Sequence, residues 1–392
     1  MSEIDMGEAV LAEDDAIIDG TADELDIKEY FGEKEARWFQ IASKNGVVAA
    51  LARGIRRILI KQPTGSGKTI TIGLTMNSPD LHRVLGIPVG EKIRVLFIAH
   101  KHRLLTQAER TFAEENGVEL ILQSCFSAIP AAVLEKGWHV AVIDEAHHEA
   151  MATIQYQLEL IGDKPIIGLT ATDERADGCV IKFEEIIEPI SREQAVEEGF
   201  LAETRLHSII DPTTANKSEI VCSVLDEYHE QIGQMMIFVK TTKEAEAIHS
   251  HLVNVLNKKS VLISKQPERV VNMALDQFGK GEIQFIVNCN KINEGVDVAG
   301  CTDVFCARQY GSYAQLNQVI GRAARPDSDC NVWELINPLS AKNLDTTVIV
   351  GTPAMHRLIH KRAGVWMEAE FDYQSTGGSL FPVVSRRHLI GR

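Results

Sequence analysis

Lys68, flanked by Gly67 and Thr69, and the adjacent carboxylates Asp144 and Glu145 are the residues whose types and spacing could do chemistry together. The run Pro63-Thr64-Gly65-Ser66-Gly67-Lys68-Thr69 has the composition of a loop that wraps phosphate. Glycines let backbone N–H groups approach an anion, and a helix starting at Lys68 would aim its unpaired N–H groups the same way. The Lys68 ammonium would reach the β- and γ-phosphates of a nucleoside triphosphate, and the Thr69 hydroxyl would ligate Mg²⁺. The strict pattern has a glycine where this chain has Gln62. About 75 residues further on, Asp144 and Glu145 end the apolar run Val140-Ala141-Val142-Ile143. The first carboxylate could hold the metal through its hydration shell, and the second could position and activate the attacking water. Together the two motifs point to nucleoside-triphosphate hydrolysis. The transition state also needs positive charge at the γ-phosphate. Gln318-Val319-Ile320-Gly321-Arg322-Ala323-Ala324-Arg325 offers two arginines three apart, on one face of a helix.

Rigid elements must hold these groups, and the hydrophobic pattern supplies them. Ile58-Leu59-Ile60 precedes the phosphate loop as a strand, and Ile70-Thr71-Ile72-Gly73-Leu74 continues it at helical spacing. Residues 35–51 read as a helix. Strands are expected at 94–99, 119–122, 138–143 and 165–169, alternating with helical stretches. The alternation restarts at 205–210, 235–239, 260–263, 282–288, 302–307 and 332–336. That is the pattern of parallel sheets with helices on both faces, an α/β class. The expected organisation is an acidic tail over 1–35, one domain over 36–198 carrying the loop, a second over 199–340, and a C-terminal extension over 341–392. A charged helix is expected over 184–204, ending at Gly199-Phe200-Leu201 as a linker.

The net charge of −15 is uneven. Residues 1–35 hold thirteen Asp/Glu against two Lys, whereas residues 341–392 hold seven Lys/Arg against four Asp/Glu. The tail is expected to be disordered or weakly helical. No apolar run is long enough to cross a bilayer and the N-terminus is acidic, so a cytoplasmic location is expected, with no membrane partner. The seven cysteines form no Cys-x-x-Cys pair, so free thiols are expected and zinc is not. The clusters His356-Arg357, His360-Lys361-Arg362 and Arg386-Arg387-His388, near Trp366 and Phe371, suit strand binding.

In order, the chain carries PTGSGKT, IAHKHRLLTQ, DEAH, GLTATDERADG, IFVK, NEGVDVAG and QVIGRAAR, spanning roughly residues 36 to 336. This series resembles helicase superfamily 2. In style it is closest to the RadD-, UvsW- and XPB-like DNA helicases, and unlike the DEAD-box RNA helicases, whose last motif begins with His-Arg. The resemblance implies two tandem RecA-like domains that clamp ATP and Mg²⁺ in their cleft, with nucleic acid lying across both. It implies that Gln40 reads adenine with Arg37 near it, and that Thr64, Gly65, Ser66, Gly67, Lys68 and Thr69 hold the phosphates. Gly295 and Asp297 would sit near the ribose. Gln318 would lie near the attacking water, with Arg322 and Arg325 as fingers from the second domain. His147, Thr170 and Thr172 would couple the cleft to the nucleic-acid face. His100, Lys101, Arg103, Gln123, Ser124, Thr241 and Asn293 would touch the sugar-phosphate backbone. Asn293 stands where many relatives have Thr, and Asp173-Glu174 where relatives often have Pro.

The resemblance thus implies an ATP-dependent helicase or translocase on DNA, in repair, recombination or replication, with protein partners of such a complex. An RNA helicase is the alternative within the enzyme class. A nucleotide-switched clamp that binds nucleic acid or a partner without unwinding is the alternative outside it.

Overall fold

A computed structural model describes residues 29–31, 34–88, 90–99, 117–146, 152–171, 183–210, 216–292, 298–324, 329–337 and 344–371. Residues 1–28, and with them most of the acidic stretch, lie outside these. The described chain begins as a short antiparallel pair, β1 (Tyr30–Phe31) and β2 (Lys34–Glu35). Glu29 is ion-paired with Lys44 there.

The first sheet is formed by β3 (Arg57–Lys61), β4 (Ile93–Ala99), β5 (Val118–Ser124), β6 (Val140–Asp144), β7 (Ile166–Thr170) and β8 (Glu185–Ile187). Their order is β5-β4-β6-β7-β3-β8, and every pairing is parallel. A strand buried on both faces reads as a continuous apolar run rather than an alternating one. Ile58, Leu59 and Ile60 are all fully buried, as are Val140, Ala141 and Val142. Each valine, leucine or isoleucine among them contributes about 1.5–3 kcal/mol by leaving water. The helix α1 (Trp38–Ala52) and the helix α2 (Lys68–Met76) pack beside one another against this sheet.

The second sheet is formed by β9 (Thr204–Ile210), β10 (Met235–Val239), β11 (Ser260–Ile263), β12 (Phe285–Cys289), β13 (Asp303–Cys306), β14 (Cys330–Ile336), β15 (Met355–Arg362) and β16 (Val365–Glu370). Its order is β11-β12-β10-β13-β14-β9-β15-β16, parallel except for the last pairing. The parallel α/β class read from the sequence is therefore the architecture found.

Two stretches differ from expectation. Of the helix expected over 184–204, only Arg192–Glu197 is helical. Glu185-Ile186-Ile187, with two β-branched residues, instead adds an edge strand to β3, and Pro189 separates it from the helix, which starts at the Ser191 cap. The C-terminal basic stretch, expected only to suit strand binding, is built into the sheet: β15 runs parallel to β9, and Ala363-Gly364, both with positive φ, turn the chain into β16. Alternation then buries His356 against Ser208 and pairs Arg357 with Glu368. Lys361 is drawn over the Trp366 ring. Much of that cationic surface is thus taken up by sheet packing, while Arg386 and Arg387 lie outside the described residues.

Six described cysteines are free thiols, five of them buried. Among the described residues no helix is long and apolar enough to cross a membrane.

Candidate nucleotide site between the two sheets

Parallel strands deliver their C-terminal ends to one rim. Lys61 is level with Thr170 across β3 and β7, and Leu169 with Asp144 across β7 and β6. The phosphate loop, Thr170 and the Asp144–Glu145 pair therefore share that rim. The loop strand and the carboxylate strand stand two strand spacings apart, roughly 10 Å. Ligand sites in open α/β sheets form at such rims.

Gly65 and Gly67 have φ of +89° and +92°, which only glycine adopts without strain. Gly67 caps α2, whose first-turn N–H groups face the loop without a side-chain cap. Lys68 Nζ lies 3.4 Å from the Gln62 carbonyl. Gln62, at the position where the strict pattern has glycine, is fully buried. Its amide donates to Ser43 Oγ at 2.9 Å and accepts from Thr71 Oγ1 at 3.0 Å, so it ties α1 to α2 beneath the loop. The departure from the pattern is thus a structural tie, invisible from loop spacing.

Glu145 has φ of +53°, an uncommon value for a residue with a side chain, and its N–H donates to Asp144 Oδ1 at 3.0 Å. Such strained positions cluster at functional sites.

Gln40 is buried, accepts from the Arg37 N–H at 3.0 Å and donates to the Ser66 carbonyl at 3.0 Å. A methyl on Gly67 would stand 2.8 Å from its Nε2. Whatever Gln40 senses is therefore passed directly to the phosphate loop. Arg37 lies 5.0 Å from the centre of the Phe200 ring, and burial lowers its pKa.

Phe200 and Leu201 are residues that motif reading named only as a linker end. Together with Phe39, Ile190 and Ala195 they form an apolar cluster at the start of α1. Leu201 Cδ2 would lie 3.2 Å from a methyl on Gly65. The signal was present in Gly199-Phe200-Leu201, an aromatic and an aliphatic residue in a linker, but not its target.

From the second sheet, the helix Tyr313–Ile320 brings Gln318 and, at its end, Gly321 and Arg322 to the same place. Gly321 packs against Thr64, and the Ala324 carbonyl would lie 3.3 Å from a methyl on Gly65. Gln318 shares the helix face of Gly321. It is 4% exposed and neither of its amide atoms has a partner, while Ser66 Oγ in the loop is likewise buried and unbonded. Buried polar groups normally find partners. A polyphosphate and an attacking water, with Mg²⁺ on Thr69 and Asp144, fit these groups.

The expected nucleic-acid contacts divide. Gln123 is buried and its amide nitrogen donates to the carbonyls of Ser124 and Ser127, so it braces a turn. Inward-facing acceptors decide that orientation. Thr241 is exposed but serves as the cap of the helix Thr242–Asn254, reciprocated by Glu244. Ser124 lies at the rim end of β5. His100, Lys101, Arg103, His147, Thr172, Asn293, Gly295, Asp297 and Arg325 lie outside the described residues.

Two family models match parts of this chain. Residues 33–128 match the family described as "Type III restriction enzyme, res subunit", and residues 216–327 match "Helicase conserved C-terminal domain". A 51.5 kDa protein of Lactococcus phage (isolate 7-9) is 27% identical over 292 residues, 68% of this chain and 62% of that protein. The chain spans 44–62% of the length of the curated relatives it matches. Among solved structures, the ATP-dependent Type ISP restriction-modification enzyme LlaBIII bound to DNA has a TM-score of 0.64 at 15% identity, covering 90% of this chain and 33% of that one. Mss116p bound to ssRNA and AMP-PNP has a TM-score of 0.58 at 14% identity, covering 84% and 75%.

Proposed function

Since the chain belongs to helicase superfamily 2, we propose that it is an ATP-hydrolysing motor that moves along nucleic acid, with DNA the favoured strand. The observation that carries the reading is the meeting of Thr64 and Gly321 beside the orphaned Gln318 amide. It sets a hydrolytic group from the second sheet against the phosphate loop of the first.

In this reading the N–H groups of the loop and Lys68 bind the phosphates, and Glu145 orients the attacking water. Gln318 holds that water from the opposite side. Arg322, and Arg325 beyond it in the sequence, stabilise charge on the transferring group. Thr69 and Asp144 are the residues that would hold Mg²⁺, which neutralises phosphate charge when bound. The two sheets meet through the groups that handle the γ-phosphate, so hydrolysis loosens their contact and lets them separate, which is the elementary step of a motor.

DNA is favoured because the last motif reads Gln318-x-x-Gly321-Arg322, in the style of RadD-, UvsW- and XPB-like enzymes, and the DNA-bound restriction enzyme of like fold is in keeping with that choice. Work on DNA in repair, recombination or replication, in the cytoplasm and with protein partners, is the task this reading assigns.

The test is steady-state ATP hydrolysis with no polynucleotide, single-stranded DNA, duplex or forked DNA, and RNA, with Lys68→Ala as the blank. Strong stimulation by DNA and little by RNA is expected. Stimulation by RNA alone would reassign the strand, and no stimulation by any would leave a nucleotide-switched clamp. Turnover surviving in Lys68→Ala would overturn the site.

A further inference from the structure

Phe126 is an exposed aromatic at the rim. It follows β5, the outermost strand of the first sheet, and 59% of it is open to solvent. Four strand spacings, roughly 19 Å, separate β5 from the strand that carries the phosphate loop. A nucleotide bound at the loop therefore does not reach it.

The turn that presents Phe126 is built with unusual care. Gln123 donates to the carbonyls of Ser124 at 2.8 Å and Ser127 at 2.9 Å, and to Ser127 Oγ at 3.1 Å. Gln157, fully buried on the helix Ala152–Ile161, donates to the same two carbonyls at 3.0 and 2.7 Å. Ser124 Oγ accepts from the Phe126 N–H at 3.3 Å, and Cys125 anchors the turn in the core beneath. Two buried glutamines thus converge on one four-residue turn, and the side chain that turn holds outward is a phenyl ring.

An exposed large apolar side chain loses hydrophobic stabilisation unless something covers it. Surfaces that dock proteins are contiguous apolar patches. Along the chain Phe126 lies between Ser124 and Ser127, both hydroxyl residues. A rigidly held ring with hydroxyl residues beside it in the chain suits a base stacking on the phenyl face while the backbone bonds to serines, a mode that reads no sequence.

We propose that Phe126 is a stacking platform for a base of the single strand bound across the first sheet, held rigid by Gln123 and Gln157. This rests on the motor reading above and adds to it a strand contact that the motifs did not name.

The experiment measures binding of a fluorescent single-stranded DNA by anisotropy, in the presence of a non-hydrolysable ATP analogue, together with unstimulated and DNA-stimulated hydrolysis. The chains are the full wild type, Phe126→Ala and Phe126→Trp. Phe126→Ala is expected to weaken strand binding roughly 5- to 150-fold. Phe126→Trp should retain binding, and unstimulated hydrolysis and the thermal midpoint should stay unchanged in both. Equal affinity in wild type and Phe126→Ala overturns the platform while leaving the motor intact. A wild type that binds no polynucleotide overturns the motor reading and the platform with it. Equal losses in Phe126→Ala and Phe126→Trp reject stacking in favour of a shape-specific contact.

Discussion

A side chain on Gly321 would occupy space that Thr64 already fills: a Cβ there would stand 2.8 Å from Thr64 Cβ. Gly321 has φ of −60°, so its backbone would accept any residue, and the demand for glycine is purely steric. Gly321→Ala should push the helix Tyr313–Ile320 off the phosphate loop without disturbing either sheet. Misplacing a catalytic group by about 1 Å costs on the order of 10²-fold in rate. Turnover should therefore fall by about that factor while binding of a non-hydrolysable ATP analogue stays within a few-fold. Unchanged turnover would mean the two sheets do not meet at this point during hydrolysis.

Gln318 is expected to trade stability for chemistry. Its amide is buried without partners, and an unsatisfied buried polar group costs about 1–3 kcal/mol. Gln318→Leu, of similar size, should raise the thermal midpoint in the absence of nucleotide and lower turnover. A variant less stable than wild type would show that the amide is bonded in solution.

Gln62 makes the opposite case. Gln62→Gly restores the strict loop pattern but removes the bonds to Ser43 and Thr71. The expected loss is about 2–4 kcal/mol, with two hydroxyls left buried. Denaturant melts would measure it. A neutral substitution would show that the tie between α1 and α2 is dispensable.

Acid should weaken the second sheet through its histidines. His207 stacks on Trp333 at 4.1 Å, and His356 bonds to Ser208 Oγ at 2.8 Å. Burial holds each imidazole down to about 4. The unfolded chain has the ordinary value near 6.5 and takes up protons first. Stability is therefore full above about pH 6.5 and is lost as pH falls to about 4. Buried Glu334 and Asp303, whose pKa values burial raises, act in the opposite sense, losing stability as pH rises through their own titration. Comparison with His207→Phe, which keeps a ring on Trp333, isolates one histidine. Its loss of stability from pH 7 to pH 5 should be smaller than that of wild type by about 2 kcal/mol. Equal losses would mean that His207 titrates normally.

Much of the local structure of the candidate site was legible in the chain itself. A glycine-rich turn before a helix, and carboxylates at the end of an apolar strand, are local instructions: they set φ, ψ and exposed N–H groups from neighbouring residues alone. The runs 235–239 and 260–263 became strands with those same bounds, because short apolar runs that mix β-branched and other large side chains suit a strand buried in a sheet. Strand order and side-chain direction were beyond such reasoning. Gln123 carries an amide that suits a phosphate contact, yet three inward acceptors from its own turn claim it. Basic residues at 356–362 read as a cluster suited to strand binding until pairing with β9 imposed a period of two and buried His356. Phe200 and Leu201 gained meaning only when the linker folded back on α1 and the phosphate loop. The sequence by itself determined the glycine turn, the helix start and the strand end on which the phosphate-binding proposal rests, since those are written in contiguous residues. Tertiary structure decided what faces them, since Thr64 and Gly321 share no local signal and meet only when two separately folded sheets come together.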